Sequence, residues 1–462
     1  MLKFFLILRI VNMLNLTINV IMKYFILFIL IIFSLLNKAN SNNHADKNSK
    51  LETISFEKIL PLAFKNNKDI LISINQNEAN FLNHKASKSL LYPKLDVTTN
   101  IAEQSDSNPN SANQDFSPRE YKLKITQNIW DFNENNSKVK ISFLRTKLSE
   151  INISVTKANA IFKAARAYSN YRKARSKYLL SLKFEEKLKK QTGMQNYRIK
   201  QGAAISTDIL QAKNALAKAT TSRRIALGNF NRTVISFISI FDFKPNIKTE
   251  ILPIKVPLNL IPKNREEYIK NVLKNSFEIK KANINKKISD ITYDNSFASN
   301  FLPKITFIGE INHKDNSSGT PGYLTENIAK IEMKWPIELF GTQLDKYEAS
   351  GIISKNANTR YKENLRKLRE NSESNWISFQ NEKTNLEYLN NEVKIAKEFL
   401  KMANLQYEKG RGEMNIVIAA QNALYNSQIA FKEAVAKFAL NSYSLLLSSG
   451  DLKIENLVKI KK

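Results

Sequence analysis

The chain carries one sequence pattern twice, in two halves whose equivalent residues lie about 210 positions apart. Gly202 recurs as Gly410, an offset of 208 residues. Residues 212–216 recur as 420–424 at the same offset, and four of the five letters agree. Solenoid repeats have periods of roughly 20 to 50 residues. A period this long instead predicts two structural halves that pack as equivalents around one axis.

Each half contains a stretch that predicts a very long helix. The 462 residues include only 11 Gly and 11 Pro, and residues 134–192 and 352–409 contain neither. We therefore predict helices over about 134–201 and 343–409, each roughly 100 Å long at ~1.5 Å per residue. Their apolar residues follow a heptad spacing, which indicates burial against neighbouring helices. Polar residues fill the remaining positions, as in helices that face water.

Glycines end both long helices and predict that the chain turns back. Gly202 is followed by an N-cap and an acidic first turn for a helix over about 206–241. Gly410 and Gly412 precede another helix over about 415–447. The sequence therefore predicts two antiparallel helical hairpins, each with a glycine turn at its tip.

Two pairs of predicted strands alternate apolar and polar residues. The pairs span about 93–103 with 119–130, and about 303–312 with 327–337, and a polar loop joins each pair. The apolar face is compatible with the core of a soluble sandwich, but two hairpins provide too little sheet for such a core. Strands of this length, with one apolar face and aromatic residues at their ends, favour a membrane β-barrel.

Four strands are too few to close a barrel. Open sheet edges are not tolerated in lipid, and small bacterial barrels have at least about eight strands. The chain is therefore expected to associate, and three copies would supply twelve strands. The expected fold class is mainly α with a small β part, internally duplicated, in which long helical hairpins form a tunnel.

Composition argues against several other classes of function. The chain has no cysteine, so disulfides and zinc–thiolate sites are excluded, and its three histidines lack the spacing of metal ligands. The formal net charge is +29, but the lysines are spread along the predicted helices, and no nucleic-acid-binding motif is present. Solvated helix faces explain this charge better than nucleic acid does. Motifs of phosphate-binding loops, serine hydrolases and zinc proteases are also missing, so we expect no enzyme and no cofactor.

The N-terminus has the pattern of a secretory signal peptide over residues 1–41. Residues 24–36 are apolar and uncharged, a lysine precedes them, and small residues follow at the positions that a signal peptidase reads. Residues 4–21 are also apolar, so two alternatives stay open. In the favoured alternative, translation starts at Met22 and the signal peptide spans 22–41. In the other, the whole stretch is an uncleaved anchor.

These patterns divide the rest of the chain into two repeats. The first repeat spans 50–244 and the second spans 263–450. A proline-rich connector, residues 245–262, joins them and is expected to lie outside the helical wall, with a β-like segment over 251–260. Residues 451–462 form a C-terminal tail.

The order of these elements, together with short motifs, resembles the TolC family of outer-membrane efflux and secretion channels over residues 50–450. The motifs are Pro93-Lys94-Leu95, Leu302-Pro303-Lys304, Trp335-Pro336-Ile337, Tyr407-Glu408-Lys409-Gly410, and the Gly202 turn that leads to Thr207-Asp208. The resemblance implies a homotrimer in the outer membrane of a Gram-negative bacterium, with a twelve-stranded barrel in the lipid that continues into a periplasmic tunnel of helices. It also implies docking to a periplasmic adaptor protein and an inner-membrane transporter, without catalysis, for multidrug efflux or type I protein secretion.

The same resemblance implies a closed helical tip. In the family, an aspartate of the first repeat bonds a tyrosine of the second, with an arginine nearby. Asp208 and Tyr407 match the first two positions, whereas Arg411 lies one residue before the third, which Gly412 occupies. The alternative is that Asp208 only stabilises the start of its helix and that Tyr407 only packs in the coiled-coil seam.

The chain departs from the family at the pore. The family places two acidic residues inside the second tip, and Ile416 and Ala419 occupy the corresponding positions here. Three copies of these residues are expected to form a hydrophobic constriction that gates by dewetting, in place of a cation-selective ring. Glu413 restores part of the acidity, but Lys409 and Arg411 lie beside it.

Two other classes of exported protein remain as alternatives. A coiled-coil adhesin or structural stalk would explain the helices and the signal peptide, but not the two amphipathic strand pairs. A periplasmic adaptor would share the helical hairpins, but would need a lipoyl-like β-domain. The sequence does not distinguish drugs from proteins as the cargo of a channel.

Overall fold

The structure, a computed structural model, describes residues 53–65, 67–106, 114–200, 206–316, 321–338 and 340–458. All of these residues belong to one compact unit. The predicted signal peptide and Gly202 lie outside the described residues.

The main helices and the long strands follow the same order in both halves. In the first half they are β1 (Thr53–Ile54), α1 (Phe56–Lys65), α2 (Lys68–Ser87), β2 (Lys94–Ile101), β3 (Gln104–Asp106), β4 (Gln114–Phe116), β5 (Arg119–Trp130), α3 (Glu134–Lys200) and α4 (Ser206–Phe241). The connector contains β6 (Glu250–Ile251). In the second half they are α5 (Arg265–Asn275), α6 (Phe277–Phe301), β7 (Lys304–Asp315), β8 (Tyr323–Lys334), α7 (Thr342–Glu408), α8 (Met414–Ser449) and α9 (Ile454–Val458).

The lengths of the helices confirm the duplication. Helices α3 and α7 each contain 67 residues, and α4 and α8 each contain 36. A constant offset of 208 therefore pairs every residue of one helical hairpin with a residue of the other. The predicted fold class, mainly helical with a small β part, is confirmed. No helix in the described part of the chain combines the length and the apolar character needed to cross a membrane.

The two halves share one antiparallel sheet, in the order β2-β5-β7-β8. Its central pair, β5 with β7, joins a strand of the first half to a strand of the second. The second hairpin extends further toward its loop than predicted, since Asp315 pairs with Tyr323. Strand β8 ends at Lys334, before the predicted end at 337, because Pro336 has no N–H to continue the ladder.

The connector contains less β-structure than the sequence predicts. Within residues 245–262, strand pairing is confined to Glu250–Ile251, which runs parallel to β1. Leu258–Leu260 forms a 3-10 turn. Pro253 and Pro257 interrupt the rest of the segment, because proline cannot donate a backbone hydrogen bond.

The main hydrophobic core lies around the middle of the long helices, beside the connector. Aromatic rings from both halves dominate it: Phe56, Tyr168, Tyr171, Phe230, Phe237, Tyr268, Trp376, Phe379 and Tyr443. The Tyr168 hydroxyl of α3 also ties the connector to this core, since it lies 2.9 Å from the carbonyl oxygen of Ile54 and 2.7 Å from that of Leu252. The sheet and the helical tips therefore extend from a common packed centre.

Candidate functional site

The four-stranded sheet has one strongly apolar face. Leu95, Val97, Ile125, Ile331 and Met333 share this face in the strand register. Val97 is 72% exposed and Ile331 is 70% exposed. Alternation of this kind, with large apolar side chains outward, is typical of strands that face lipid.

The opposite face of the sheet carries charged side chains that pair across strands. Lys122 of β5 lies 2.7 Å from Glu310 of β7. Lys314 of β7 lies 2.7 Å from Glu326 of β8. A face of this kind suits the watery interior of a barrel. Among the described residues, no group of three or more His, Asp or Glu side chains is arranged to hold a metal ion.

Aromatic rings border the apolar face at both ends. Near the loops, Tyr121 and Tyr323 pack on His313, with ring centroids 6.3 and 5.9 Å from the imidazole. At the helical end, Trp130 and Trp335 are 57% and 56% exposed. Two aromatic girdles, one at each interface with water, are a common feature of transmembrane barrels.

The outer edges of the sheet, β2 and β8, pair with no further strand among the described residues. Each edge therefore presents backbone N–H and C=O groups that need partners. In a bilayer these groups cannot bond to water. Pairing with the edges of other copies is the remaining way to satisfy them.

A buried carboxylate joins the sheet to the first long helix. Glu134 begins α3, is 5% exposed, and lies 2.6 Å from the Lys138 ammonium and 2.7 Å from that of Lys304, which begins β7. Burial alone would raise the pKa of Glu134, but the two lysines overcome this effect, and the pKa lies below its ordinary value. Asp131 caps the same helix by accepting a hydrogen bond from the N–H of Asn135 at 3.0 Å. The contact with Lys304 links the two halves where the sheet meets the helices.

Two glycines shape the turn between α7 and α8 at the helical tip. Gly410 has φ 69°, in the left-handed region that favours glycine. A Cβ atom at Gly412 would lie 3.1 Å from both the Cβ atom of Gln406 and the backbone nitrogen of Tyr407. The N–H of Arg411 donates to the carbonyl oxygen of Gln406 at 2.9 Å. Gly410 is therefore favoured by its conformation, and a side chain at position 412 would force its neighbours to move by a few tenths of an ångström.

Two glutamines of α3 hold this turn from the first half. Gln195, which is 1% exposed, donates a hydrogen bond to the Tyr407 hydroxyl at 2.5 Å. Gln191, one helical turn earlier, points its amide nitrogen at the Met414 sulfur, 2.6 Å away. The sequence analysis missed both glutamines, because a glutamine within a polar helix looks like any solvated residue. Their packing alone identifies them.

The three residues of the predicted lock lie near the tip but are not joined to one another. Asp208 is in the first turn of α4 and is half-buried. Among the described residues, the Asp208 carboxylate has no hydrogen bond or ion pair. The Tyr407 hydroxyl accepts a hydrogen bond from Gln195. Arg411 is exposed in the turn. The bond between Asp208 and Tyr407 therefore stays a prediction.

The residues of the predicted constriction lie on the open side of α8. Ile416 is 39% exposed, and Ala419 is exposed on the same side of the helix. Met414 and Val417 are buried on the side that packs against α7. Glu413 is exposed just before the helix begins. This open face is available to a pore or to a neighbouring copy, and the constriction stays a prediction.

Comparison with known families gives a match over both repeats. The family model described as outer membrane efflux protein matches residues 59–231 and 268–450. A comparison with curated protein sequences found no significant match. The two matched segments fall within the two predicted repeats, so the family has the same duplicated organisation.

Solved structures share the fold at low sequence identity. The CmeC outer membrane channel of Campylobacter jejuni is 14% identical, with 88% of each chain covered and a TM-score of 0.76. A membrane protein of Pseudomonas aeruginosa is 14% identical, with 85% of this chain and 93% of that chain covered and a TM-score of 0.75. The MtrE outer membrane channel of Neisseria gonorrhoeae, solved in its open state, is 16% identical, with coverages of 86% and 89% and a TM-score of 0.71.

The family match and the shared fold confirm the resemblance to TolC-like channels. They also favour a channel over an exported adhesin or stalk, because the matched proteins are non-enzymatic transport channels. The family places the protein in the outer membrane of a Gram-negative bacterium, with a large periplasmic part. The chain belongs to the outer membrane efflux protein family.

Proposed function

We propose that three copies of this chain form a channel that carries cargo from the periplasmic side of the outer membrane to the outside. Three four-stranded sheets close one barrel of twelve strands, and three pairs of helical hairpins form the periplasmic tunnel. A periplasmic adaptor protein and an inner-membrane transporter dock at the tips and supply the cargo and the energy. The chain itself performs no catalysis.

The sheet is the observation that carries this proposal. It has a lipid-compatible face, a charged face and two edges that pair with no further strand in the described part of the chain, so a single copy leaves backbone groups unsatisfied in the bilayer. Four strands are also about half of the smallest bacterial barrel. Association of copies through β2 and β8 satisfies both requirements.

The tunnel needs a tip that opens and closes. We propose that Asp208 and Tyr407 contribute to the closed tip, with Arg411 beside them, and that Ile416 and Ala419 narrow the pore. Support comes from the position of all five residues at or beside the α7–α8 turn or at the start of α4. A ring of apolar side chains closes a pore by excluding water.

Cysteine cross-linking between the sheet edges tests the trimer. The chain has no cysteine of its own, so pairs introduced at Val97 of β2 and at Ala329 or Ile331 of β8 report only contacts between copies. We expect disulfide-linked trimers in outer-membrane fractions on denaturing gels. The matched control pairs Val97 with Leu386, which lies on α7 far along the chain from the sheet and should form no cross-link.

A failure of cross-linking at every edge pair, with the protein still folded in the outer membrane, contradicts the shared barrel. Planar bilayer recording of the purified protein gives a second readout, since only an assembled channel conducts ions. Deletion of the gene, followed by measurement of drug accumulation and of secreted proteins, distinguishes small-molecule efflux from protein secretion.

A further inference from the structure

The tip halves of the two helical hairpins differ sharply in charge. Residues 172–200 and 206–241 of the first hairpin contain 15 basic and 3 acidic residues, whereas the equivalent residues 380–408 and 414–449 contain 6 of each. The offset of 208 makes this a comparison of equivalent positions. In the tip halves, the excess of basic over acidic residues is therefore confined to the first hairpin, although the two hairpins have equal lengths.

A groove runs along this basic hairpin, between α3 and the α7–α8 pair. Two adjoining cavities of about 220 and 410 Å³ form it, and both are lined by Lys187, Leu400 and Gln421. Apolar side chains provide the floor: Leu180, Phe184, Val417 and Leu424. The Phe184 ring is fixed there by stacking on Tyr425, with centroids 4.5 Å apart.

Three lysines form one wall of the groove. Lys183, Lys187 and Lys190 line it and are exposed, and their spacing of four and three residues places them on one side of α3. Lys190 pairs with Glu186 at 3.2 Å. In the described part of the chain, Lys183 and Lys187 have no ion-pair partner.

The opposite wall does not neutralise this charge. Among the residues that line the two cavities, Glu408 at the tip end is the one acidic side chain from any of the three helices. The positions equivalent to the three lysines in the second hairpin are Asn391, Ile395 and Glu398. The lysine row is therefore specific to the first hairpin and is not required by the coiled-coil packing that both hairpins share.

We propose that this groove binds an α-helix of the periplasmic adaptor through carboxylates at three positions spaced i, i+4 and i+7. The inference rests on the proposed function, since it assumes that an adaptor docks at the tip. From Lys183 to Lys190 the row covers about 10 Å, or two helical turns. A second helix that packs at a shallow angle presents side chains at the same intervals. Its small apolar residues contact Phe184 and Leu424, and its acidic edge meets the lysines.

Charge complementarity gives this site a role in partner choice. Exposed ion pairs contribute little affinity one at a time, but facing rows of opposite charge speed up association and exclude partners of like charge. An adaptor whose helix carries lysine or neutral residues along that edge is rejected or binds weakly. The row Lys183, Lys187 and Lys190 thus selects acidic adaptor helices.

The test uses two designed helical hairpin peptides and the full-length protein in lipid nanodiscs. One peptide carries Glu at three positions spaced i, i+4 and i+7 on an edge with small apolar residues beside it, and the other carries Gln at these positions. We expect the acidic peptide to bind at least about 30-fold more tightly at low salt, with the preference shrinking as salt rises. Equal affinities, including no binding of either peptide, would overturn the inference.

Substitutions assign the preference to the groove. Replacing Lys183, Lys187 and Lys190 together by Glu should remove the preference for the acidic peptide, and replacing them by Arg should retain it. The matched control replaces Lys213, Arg224 and Arg232 of α4 by Glu, which makes the same change in net charge outside the groove and should alter the affinities by less than about threefold. If the control variant lost the preference as completely as the groove variant, the overall positive charge of the hairpin, and not this groove, would select the partner.

The same preparations separate this inference from the proposed function. Trimer formation on native gels and conductance in planar bilayers are measured for every variant. Loss of trimers in the unmodified protein contradicts the proposed function. Intact, conducting trimers whose peptide preference is unchanged by Lys→Glu replacement contradict the lysine groove alone.

Discussion

The two halves of the molecule keep the same aromatic packing but differ in their polar contacts. Trp376 occupies the position equivalent to Tyr168, and each of these two rings has an aromatic partner 5.5 Å away. The partners, Phe56 for Tyr168 and Tyr268 for Trp376, come from different positions of the repeat. Both rings are equivalent in the pairs Tyr171 with Phe230, at 5.4 Å, and Phe379 with Phe438, at 5.3 Å. The core of the duplicated unit has therefore been retained in both halves.

The polar contacts that hold the connector against that core differ between the two halves. In the first half, the Tyr168 hydroxyl and the Arg172 guanidinium bond backbone carbonyls at the carboxyl end of the β1–β6 pair. The equivalent residues in the second half are Trp376 and Gln380, and among the described residues neither side chain has a hydrogen bond to the connector. Apolar packing thus preserves the repeat, whereas polar side chains have diverged to serve the connector, the lysine groove and the tip.

Removal of an equivalent ring from either half should have the largest effect on stability. Tyr168→Ala and Trp376→Ala each leave a cavity in the shared core, so we expect each to lower the free energy of unfolding by about 3 to 5 kcal/mol. Thermal or urea unfolding of the detergent-solubilised protein measures the change. Tyr388→Ala is the control, since Tyr388 is 72% exposed, and should shift stability by less than about 0.5 kcal/mol. If one half tolerated the loss of its ring, the two cores would not be equivalent.

Loss of the Tyr168 hydroxyl should affect the first half alone. Tyr168→Phe keeps the ring but removes the hydroxyl donor of the Leu252 carbonyl oxygen, which costs about 1 to 3 kcal/mol for a buried polar group. The Ile54 carbonyl oxygen still accepts from the N–H of Leu252 at 2.9 Å. We expect faster amide hydrogen exchange in β1 and β6, measured by mass spectrometry. Tyr443→Phe is a graded control, because its hydroxyl makes one longer contact, 3.4 Å from the carbonyl oxygen of Lys255. Exchange that is unchanged in Tyr168→Phe would show that apolar packing alone holds the connector.

The carboxylate at the sheet–helix junction also distinguishes the halves and gives a pH dependence. Thr342 occupies the position equivalent to Glu134. The folded pKa of Glu134 is below its ordinary value, so its stabilising effect is present above the unfolded pKa and is lost as the pH falls through the folded pKa. Since both lysines are partly exposed, we expect Glu134→Gln to cost about 1 to 2 kcal/mol at pH 7, after discounting for solvent screening.

Unfolding curves at pH 7 and pH 3 measure this difference. The curves of the unmodified protein and of Glu134→Gln should approach each other as the pH falls, and they should coincide once the pH is below the folded pKa of Glu134. Glu338→Gln provides the matched control at the second junction, because Glu338 is exposed, and should change stability little at either pH. A penalty for Glu134→Gln that did not shrink between pH 7 and pH 3 would point to shape and not to charge.

Sequence periodicity was sufficient to predict the class of fold, because the scarcity of glycine and proline and the alternation in the strands are signals that extend over many residues. Signals that involve single residues were weaker. Pro253 and Pro257 reduced the predicted β-like connector to one short pair, and Gln195 gave no sign of its burial. The structural role of such residues depends on contacts between segments that are far apart in the chain. Gln195 and Tyr407, for example, are separated by 212 residues.

The two halves also touch each other through polar groups at the tip, and variants there should shift gating without unfolding the protein. Tyr407→Phe removes the acceptor of the buried Gln195 amide and, with Asp208→Asn, removes both residues of the predicted lock. We expect the double variant to raise the leak conductance in planar bilayers about tenfold, which corresponds to ~1.4 kcal/mol. Gln195→Leu should raise it by a similar factor if the glutamine carries the contact. An unchanged closed state in the double variant rejects the lock.

The smallest effect on conductance is expected at the predicted constriction, where Ile416 and Ala419 replace the acidic residues of the family. Because a ring of apolar side chains offers no ligands to a cation, millimolar divalent cobalt should reduce the conductance by less than about twofold. Ile416→Asp places a carboxylate from each copy at the same level of the pore and should create a block by such ions. Ala215→Asp is the matched control, since Ala215 lies on α4 of the first hairpin, and should leave the ion response unchanged. Strong block of the unmodified channel would mean that Glu413, and not the apolar ring, sets the selectivity of the tip.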